Sequence, residues 1–211
     1  KYLEVINRKP QKRITRYAAG IMGGTGFAVF FGCNFRDAVI AFIVSVMIVA
    51  VGDWLAKREN NLLVYNGILA FISEVIIIGA LKMGIAEHPD RIMIGIVMLL
   101  ISGLSTTNGI RDLLQRDFIS GFINIMNSFL GAAGIAFGIG LAIILFHEGY
   151  SDHFILNHSV PIQLISCTVA CTGFALWFKI RGKQVWYNSI GAFFTWAIYV
   201  AVYAVRPSNF L

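Results

Sequence analysis

The sequence predicts an all-α fold, a polytopic transmembrane helical bundle. Apolar stretches of bilayer-spanning length recur along the whole chain, charges are scarce and fall between them, and one seven-residue pattern returns in an inverted position. Hydrophobic residues are 57% of the 211 and charged residues 13%, against roughly 45–50% and about 25% in soluble domains. About 20 apolar residues cross the ~30 Å hydrocarbon core as a helix, which satisfies its own backbone hydrogen bonds where no water can. Seven spans are expected, at residues 17–31, 38–55, 62–81, 92–108, 118–146, 161–178 and 185–205. The first is short and glycine-rich.

Residues 1–16 form a basic amphipathic lead-in, too long to be the brief charged flank of a cleaved signal peptide. It has no initiator Met, so the natural chain is expected to start earlier. With the N-terminus inside, only Arg36, Lys82, Arg91 and Arg206 of the seventeen lysines and arginines face outward. The positive-inside rule then puts the N-terminus of this multi-pass membrane protein in the cytoplasm. The same alternation explains the net charge of +6 without nucleic acid. In the external loop, residues 147–160, His147, His153 and His158 lie near Glu148 and Asp152, but without the tight spacing of metal ligands, so a solvated loop is expected. Cys33, Cys167 and Cys171 are odd in number and lack a CxxC spacing, which suits small apolar packing residues. No HExxH, GxSxG or paired His and carboxylate appears, so no enzyme, cofactor or metal site is expected.

Thr25 to Phe31 reads TGFAVFF and Thr172 to Phe178 reads TGFALWF, 147 residues later. The next span begins similarly in each case, with IAFI from Ile40 and GAFF from Gly191. The two copies enter the membrane from opposite sides, which predicts a five-span inverted repeat: a first repeat over 17–146 and an incomplete second over 161–211. Secondary transporters with this design hold substrate near the midplane and rock about it.

Span four carries an uninterrupted apolar run only from Ile92 to Ile101, about 15 Å, half the hydrocarbon core. It then meets SGLSTTNG, where Gly103 and Gly109 flank three hydroxyls and an amide. Hydroxyls and water can satisfy freed backbone groups, so a broken helix is expected, with Gly103 and Gly109 at the break. If the segment stays helical, Ser105, Asn108 and Asp112 share one face at i, i+3 and i+7. In the next span Asp117, Gly121, Asn124 and Ser128 form a facing stripe, with Asn127 beside it. Interhelical hydrogen bonding alone would also explain such residues. Glu74, mid-span in AFISEVIIIGA, costs on the order of 3 kcal/mol if ionised there, so it is either a proton carrier or a protonated hydrogen-bonding partner. Asp53 reads as an interface residue beside Trp54 and Lys57. Gly20 and Gly24, and Gly134 and Gly138, make GxxxG pairs that permit close helix approach.

The pattern SGLSTTNGIRDLLQRDFISGFINIMNS, with the upstream YAAGIMGGTGFAVFFGCNFRDAVIAFIVS and NNLLVYNGILAFISEVIII, resembles the threonine/serine exporter family of bacterial membrane transporters. TGFALWFKIRGKQVWYNSIGAFFTWAIYV looks like the opening of that family's five-span second half. Gly103, Asn108, Arg111, Asp112, Asp117, Ser120 and Gly121 match the family's pattern, while Ser102 stands where a proline is usual and Arg116 where a glycine is usual. The resemblance implies export of small polar metabolites, threonine and serine above all, by proton-coupled alternating access. Ser105, Thr106, Thr107 and Asn108 would hold substrate opposite Asn124 and Asn127, and Glu74, Arg111, Asp112 and Asp117 would form the proton-coupling or charge network. Some relatives export dicarboxylates such as succinate, and a non-transporting membrane assembly subunit is the rival from another class. The expected partners are the solute, protons, membrane lipid, and a second copy or partner membrane subunit.

Overall fold

The computed structural model describes residues 13–59, 61–101, 103–146, 159–180 and 182–205. Among them every regular element is an α-helix: α1 (Arg13–Phe30), α2 (Phe35–Leu55), α3 (Leu62–Lys82), α4 (Pro89–Leu100), α5 (Gly103–Leu114), α6 (Phe118–Phe146), α7 (Val160–Trp177) and α8 (Lys183–Val205). The histidine-bearing loop lies outside the described residues.

Helices α2, α3, α6, α7 and α8 are each long and apolar enough to cross a membrane. Helices α4 and α5 reach that standard only as a pair, bent by 47°. Helix α1, expected as a short first span, is not among the helices apolar enough to cross by length and composition. Arg13, Arg16 and four glycines lower its hydropathy. Those glycines instead let neighbours lie on its backbone. A β-carbon at Gly20 would strike Val49 of α2, one at Gly24 would strike Ser45 of α2, and one at Gly95 of α4 would come within 2.7 Å of the Ala28 backbone nitrogen. Small residues are what allow such approach when lipid supplies no hydrophobic drive between helices. The apolar core beside α1 is built from Ile40, Val44 and Ile48 of α2, Ile77 of α3, and Ile92, Ile96 and Leu99 of α4.

Helices α3 and α6 run parallel and meet backbone to backbone. A β-carbon at Gly134 would strike the Leu63 carbonyl, and one at Gly138 the Gly67 carbonyl. Helices α1 and α7 run antiparallel, and both their first and last residues are 147 apart. A β-carbon at Gly26 would meet the Ala170 backbone at 2.9 Å, and one at Gly173 would meet Met22 and Gly23. Phe27 and Phe174 pack edge to face with centroids 4.9 Å apart. Under the 147-residue offset Gly26 corresponds to Gly173, Gly23 to Ala170, and Phe27 to Phe174. The contact therefore maps onto itself, as a two-fold contact does.

At the end opposite the start of α1, Asp37, without solvent exposure, accepts from the backbone of Glu87 at 2.8 Å and of His88 at 3.4 Å, and its other oxygen lies 3.2 Å from His88 Nδ1. Asn34 and Arg36 bond Glu87 at 2.7 and 3.2 Å, and Arg91 donates to the Gly32 carbonyl at 2.6 Å. These bonds lock the α1–α2 turn to the α3–α4 turn.

Four helices end in one motif, a left-handed residue followed by an N–H that reaches back five residues. After α1 and α3 that residue is Gly32 (φ 97°) and Gly84 (φ 70°); after α5 and α7 it is Arg116 (φ 68°) and Lys179 (φ 61°). The closing bonds, Cys33 to Ala28, Ile85 to Ala80, Asp117 to Asp112 and Ile180 to Ala175, span 2.9–3.1 Å. Arg116 is where the family resemblance leads one to expect glycine, and the backbone gives the reason. An L side chain there costs roughly 1–2 kcal/mol, partly offset by glycine's greater freedom in the unfolded chain. Arg116→Gly is expected to raise the detergent thermal midpoint by an amount equivalent to about 0.5–1 kcal/mol, and Arg116→Val to lower it. A drop for Arg116→Gly would mean that the guanidinium makes a contact worth more than the backbone relief.

Candidate functional site

Helix α4 stops because Ile101 turns extended (φ −66°, ψ 125°), with its N–H still bonded to Val97 O at 3.0 Å. Gly103 N–H donates to Ile101 O at 3.1 Å and opens α5. The break thus precedes Gly103. Gly109 does not break the helix, a correction to the expectation. It lies within α5, where a β-carbon would come 2.9 Å from the Gly121 carbonyl, and one at Gly121 would come 2.8 Å from the Gly109 carbonyl. This reciprocal contact closes α5 and α6 into an antiparallel hairpin, and α5 packs chiefly on α6.

The hairpin unites part of the predicted polar set. Asp112 Oδ2 accepts from Ser120 Oγ at 3.2 Å and from Asn124 Nδ2 at 3.0 Å, and Ser128 donates to the Asn124 carbonyl at 3.1 Å. Asp117 Oδ1 accepts from the Ser120 N–H at 3.3 Å, so this carboxylate caps the start of α6. Thr107 donates back to Gly103 O at 3.0 Å. Thr106 joins Ile101, Ile125, Ser128, Phe129 and Ala132 around a cavity of about 280 Å³. Ser105 is half-buried, whereas Thr106, Thr107, Asn108, Arg111 and Asn127 are exposed. Among the described residues, Asn108, Arg111 and Asn127 make no side-chain hydrogen bond to the Asp112 cluster. Glu74 lies on another helix, α3, with 1% exposure, on a face that also buries Asn66 and Ser73.

A second cavity, about 290 Å³, lies at the end of the bundle where α1 begins. Ile101 lines both cavities. Its polar walls are Arg16, Tyr65, Asn66 and Lys179, and its apolar walls include Leu99, Leu100 and Trp177. Arg16 pairs with Asp53 and lies 5.7 Å from the Trp177 ring centre. Sequence reading missed this group. Asn66, an amide inside an apolar run, was its visible signal, but nothing in the sequence brings Arg16 to Trp177 and Lys179.

The threonine/serine exporter family model matches residues 1–146, which include the interrupted span and the whole α5–α6 hairpin. The chain belongs to the threonine/serine exporter family. A curated member, the threonine/serine exporter of Corynebacterium glutamicum, is 26% identical over 129 residues, 59% of this chain and 26% of that protein. The chain thus spans much less than half the length of the curated relative it matches. No solved structure matches it. Exporter membership and, among the described residues, five helices long and apolar enough to cross a membrane make it a multi-pass membrane protein of a transporter family rather than an enzyme family.

Proposed function

We propose that the chain works as a secondary active exporter of small polar metabolites, threonine and serine foremost, driven by the proton gradient through alternating access. The observation that carries this reading is the interrupted span, whose stop at Ile101 lines two cavities. A helix that stops inside the bilayer offers free carbonyls, and the helix that follows offers free N–H groups. Those dipoles suit a zwitterion stripped of water. In this reading Ser105, Thr106, Thr107 and Asn108 hold the solute opposite Asn124 and Asn127. Asp112 or Glu74 takes up the proton, and Arg111 and Asp117 complete the charge network.

The self-mapping contact between α1 and α7 supports an inverted repeat whose axis passes between Phe27 and Phe174. Rocking of one repeat about that axis would open the two cavities in turn. The excess of basic residues at the end where α1 begins supports a cytoplasmic N-terminus. The name of the Corynebacterium relative supports threonine and serine as solutes.

Counterflow in proteoliposomes of the full chain tests the proposal. Vesicles loaded with unlabelled threonine or serine are expected to accumulate the labelled solute, and Asn108→Ala to lower that accumulation at least tenfold while its thermal midpoint holds. Folded protein that accumulates none of threonine, serine or succinate would overturn the exporter reading in favour of an assembly subunit.

A further inference from the structure

We propose that the cavity between α1, α3, the end of α4 and the turn after α7 is a carboxylate-binding site, where Lys179 and Arg16 hold the carboxylate of a small solute and Asn66 takes its ammonium group where it has one. The identity of that solute as the exported one rests on the exporter reading. Binding itself does not.

The charges fit one carboxylate. Arg16 is paired with Asp53 and held near the Trp177 ring, while Lys179 has no ion-pair partner among the described residues. Two cations and one carboxylate leave the group with a single net positive charge. Asn66 is 3% exposed, its amide nitrogen reaches only Gly131 O at 3.4 Å, and no donor meets its Oδ1 among the described residues. An acceptor without a protein donor, lining a cavity, is open to a ligand N–H. Tyr65 lines the same wall, and the volume of about 290 Å³ accommodates a four-carbon acid.

The backbone at Lys179 supplies the substitution that tests the site. It stands in the left-handed region at φ 61°, and the residue 147 positions earlier is Gly32, at φ 97°. At the corresponding place beside the cavity the chain carries a lysine, in a conformation that L residues avoid.

Lys179→Gly removes the ammonium while supplying the residue that the turn favours, so the variant retains its fold. The thermal midpoint of the full chain in detergent, at fixed salt, is followed against L-threonine, succinate and L-threoninamide. Threonine and succinate are expected to raise the wild-type midpoint saturably and threoninamide to leave it unchanged. Lys179→Gly should weaken both carboxylates at least tenfold, and Lys179→Arg by less than threefold. Carboxylates that shift neither protein, or shift wild type and Lys179→Gly alike, would overturn the site. Counterflow that persists in that case leaves the exporter reading standing. Carboxylate binding that depends on Lys179 in a protein without counterflow removes the exporter reading and keeps the site.

Discussion

Asp112→Ala is expected to abolish counterflow and to destabilise the protein by roughly 1–3 kcal/mol, the cost of leaving partly buried donors without an acceptor. One carboxylate oxygen receives both the Ser120 hydroxyl and the Asn124 amide, so its loss frees two donors on α6 and unties the polar side of the hairpin. The reciprocal Gly109–Gly121 contact would still hold the helices together, so unfolding should remain cooperative. Asp112→Asn separates the two possible roles of the residue. An amide oxygen in the same place keeps both bonds at lower strength, so stability should fall by no more than about 1 kcal/mol. If Asp112 carries the proton, this variant keeps counterflow and loses export driven by an imposed pH difference. Equal gradient-driven export by wild type, Asp112→Asn, Glu74→Gln and the double variant would remove both carboxylates from the coupling assignment.

Gly134→Ala is expected to be as damaging to the fold as Asp112→Ala is to transport, at roughly 2–3 kcal/mol. The added methyl would meet the Leu63 carbonyl oxygen, and also lie 3.0 and 3.1 Å from that residue's backbone carbons. A backbone group cannot rotate aside as a side chain can, so α3 and α6 must separate along their length. Gly138, one turn on, faces the Gly67 carbonyl and would lose its contact with it. Gly140, on the same helix, is the control, because a methyl added there would meet nothing within 4 Å. Gly140→Ala should raise stability by up to about 1 kcal/mol, because alanine is the better helix former. Thermal unfolding of the two variants in one detergent reads the difference. Similar midpoints would show that α3 and α6 are not in backbone contact.

The family resemblance was legible because it rests on a contiguous motif, SGLSTTNGIRDLLQRDFISGF, whose residue types can be compared one by one. The expected ends of α2, α3, α6, α7 and α8 lie within three residues of the observed ones, because an apolar run bounded by charges or turn residues is a local signal. The break after Ile101 was legible for the same reason. At α1 the glycines read as a short span, but not as the surface on which α2, α4 and α7 rest. Gly109 misled, since a glycine that loosens a helix and one that admits a neighbour look identical in sequence.

Composition and periodicity thus determined the helical class and the positions of the long helices, because each follows from forces acting between near neighbours in the chain. Only the tertiary structure decided which polar groups meet. Asp112 joins Ser120 and Asn124 across a turn, Asp37 joins Glu87 and His88 about fifty residues away, and Arg16 reaches Trp177 beside Lys179 from the other end of the chain. Such meetings depend on how close two backbones come, and that distance is set by glycines and small residues on helices that share no sequence neighbourhood.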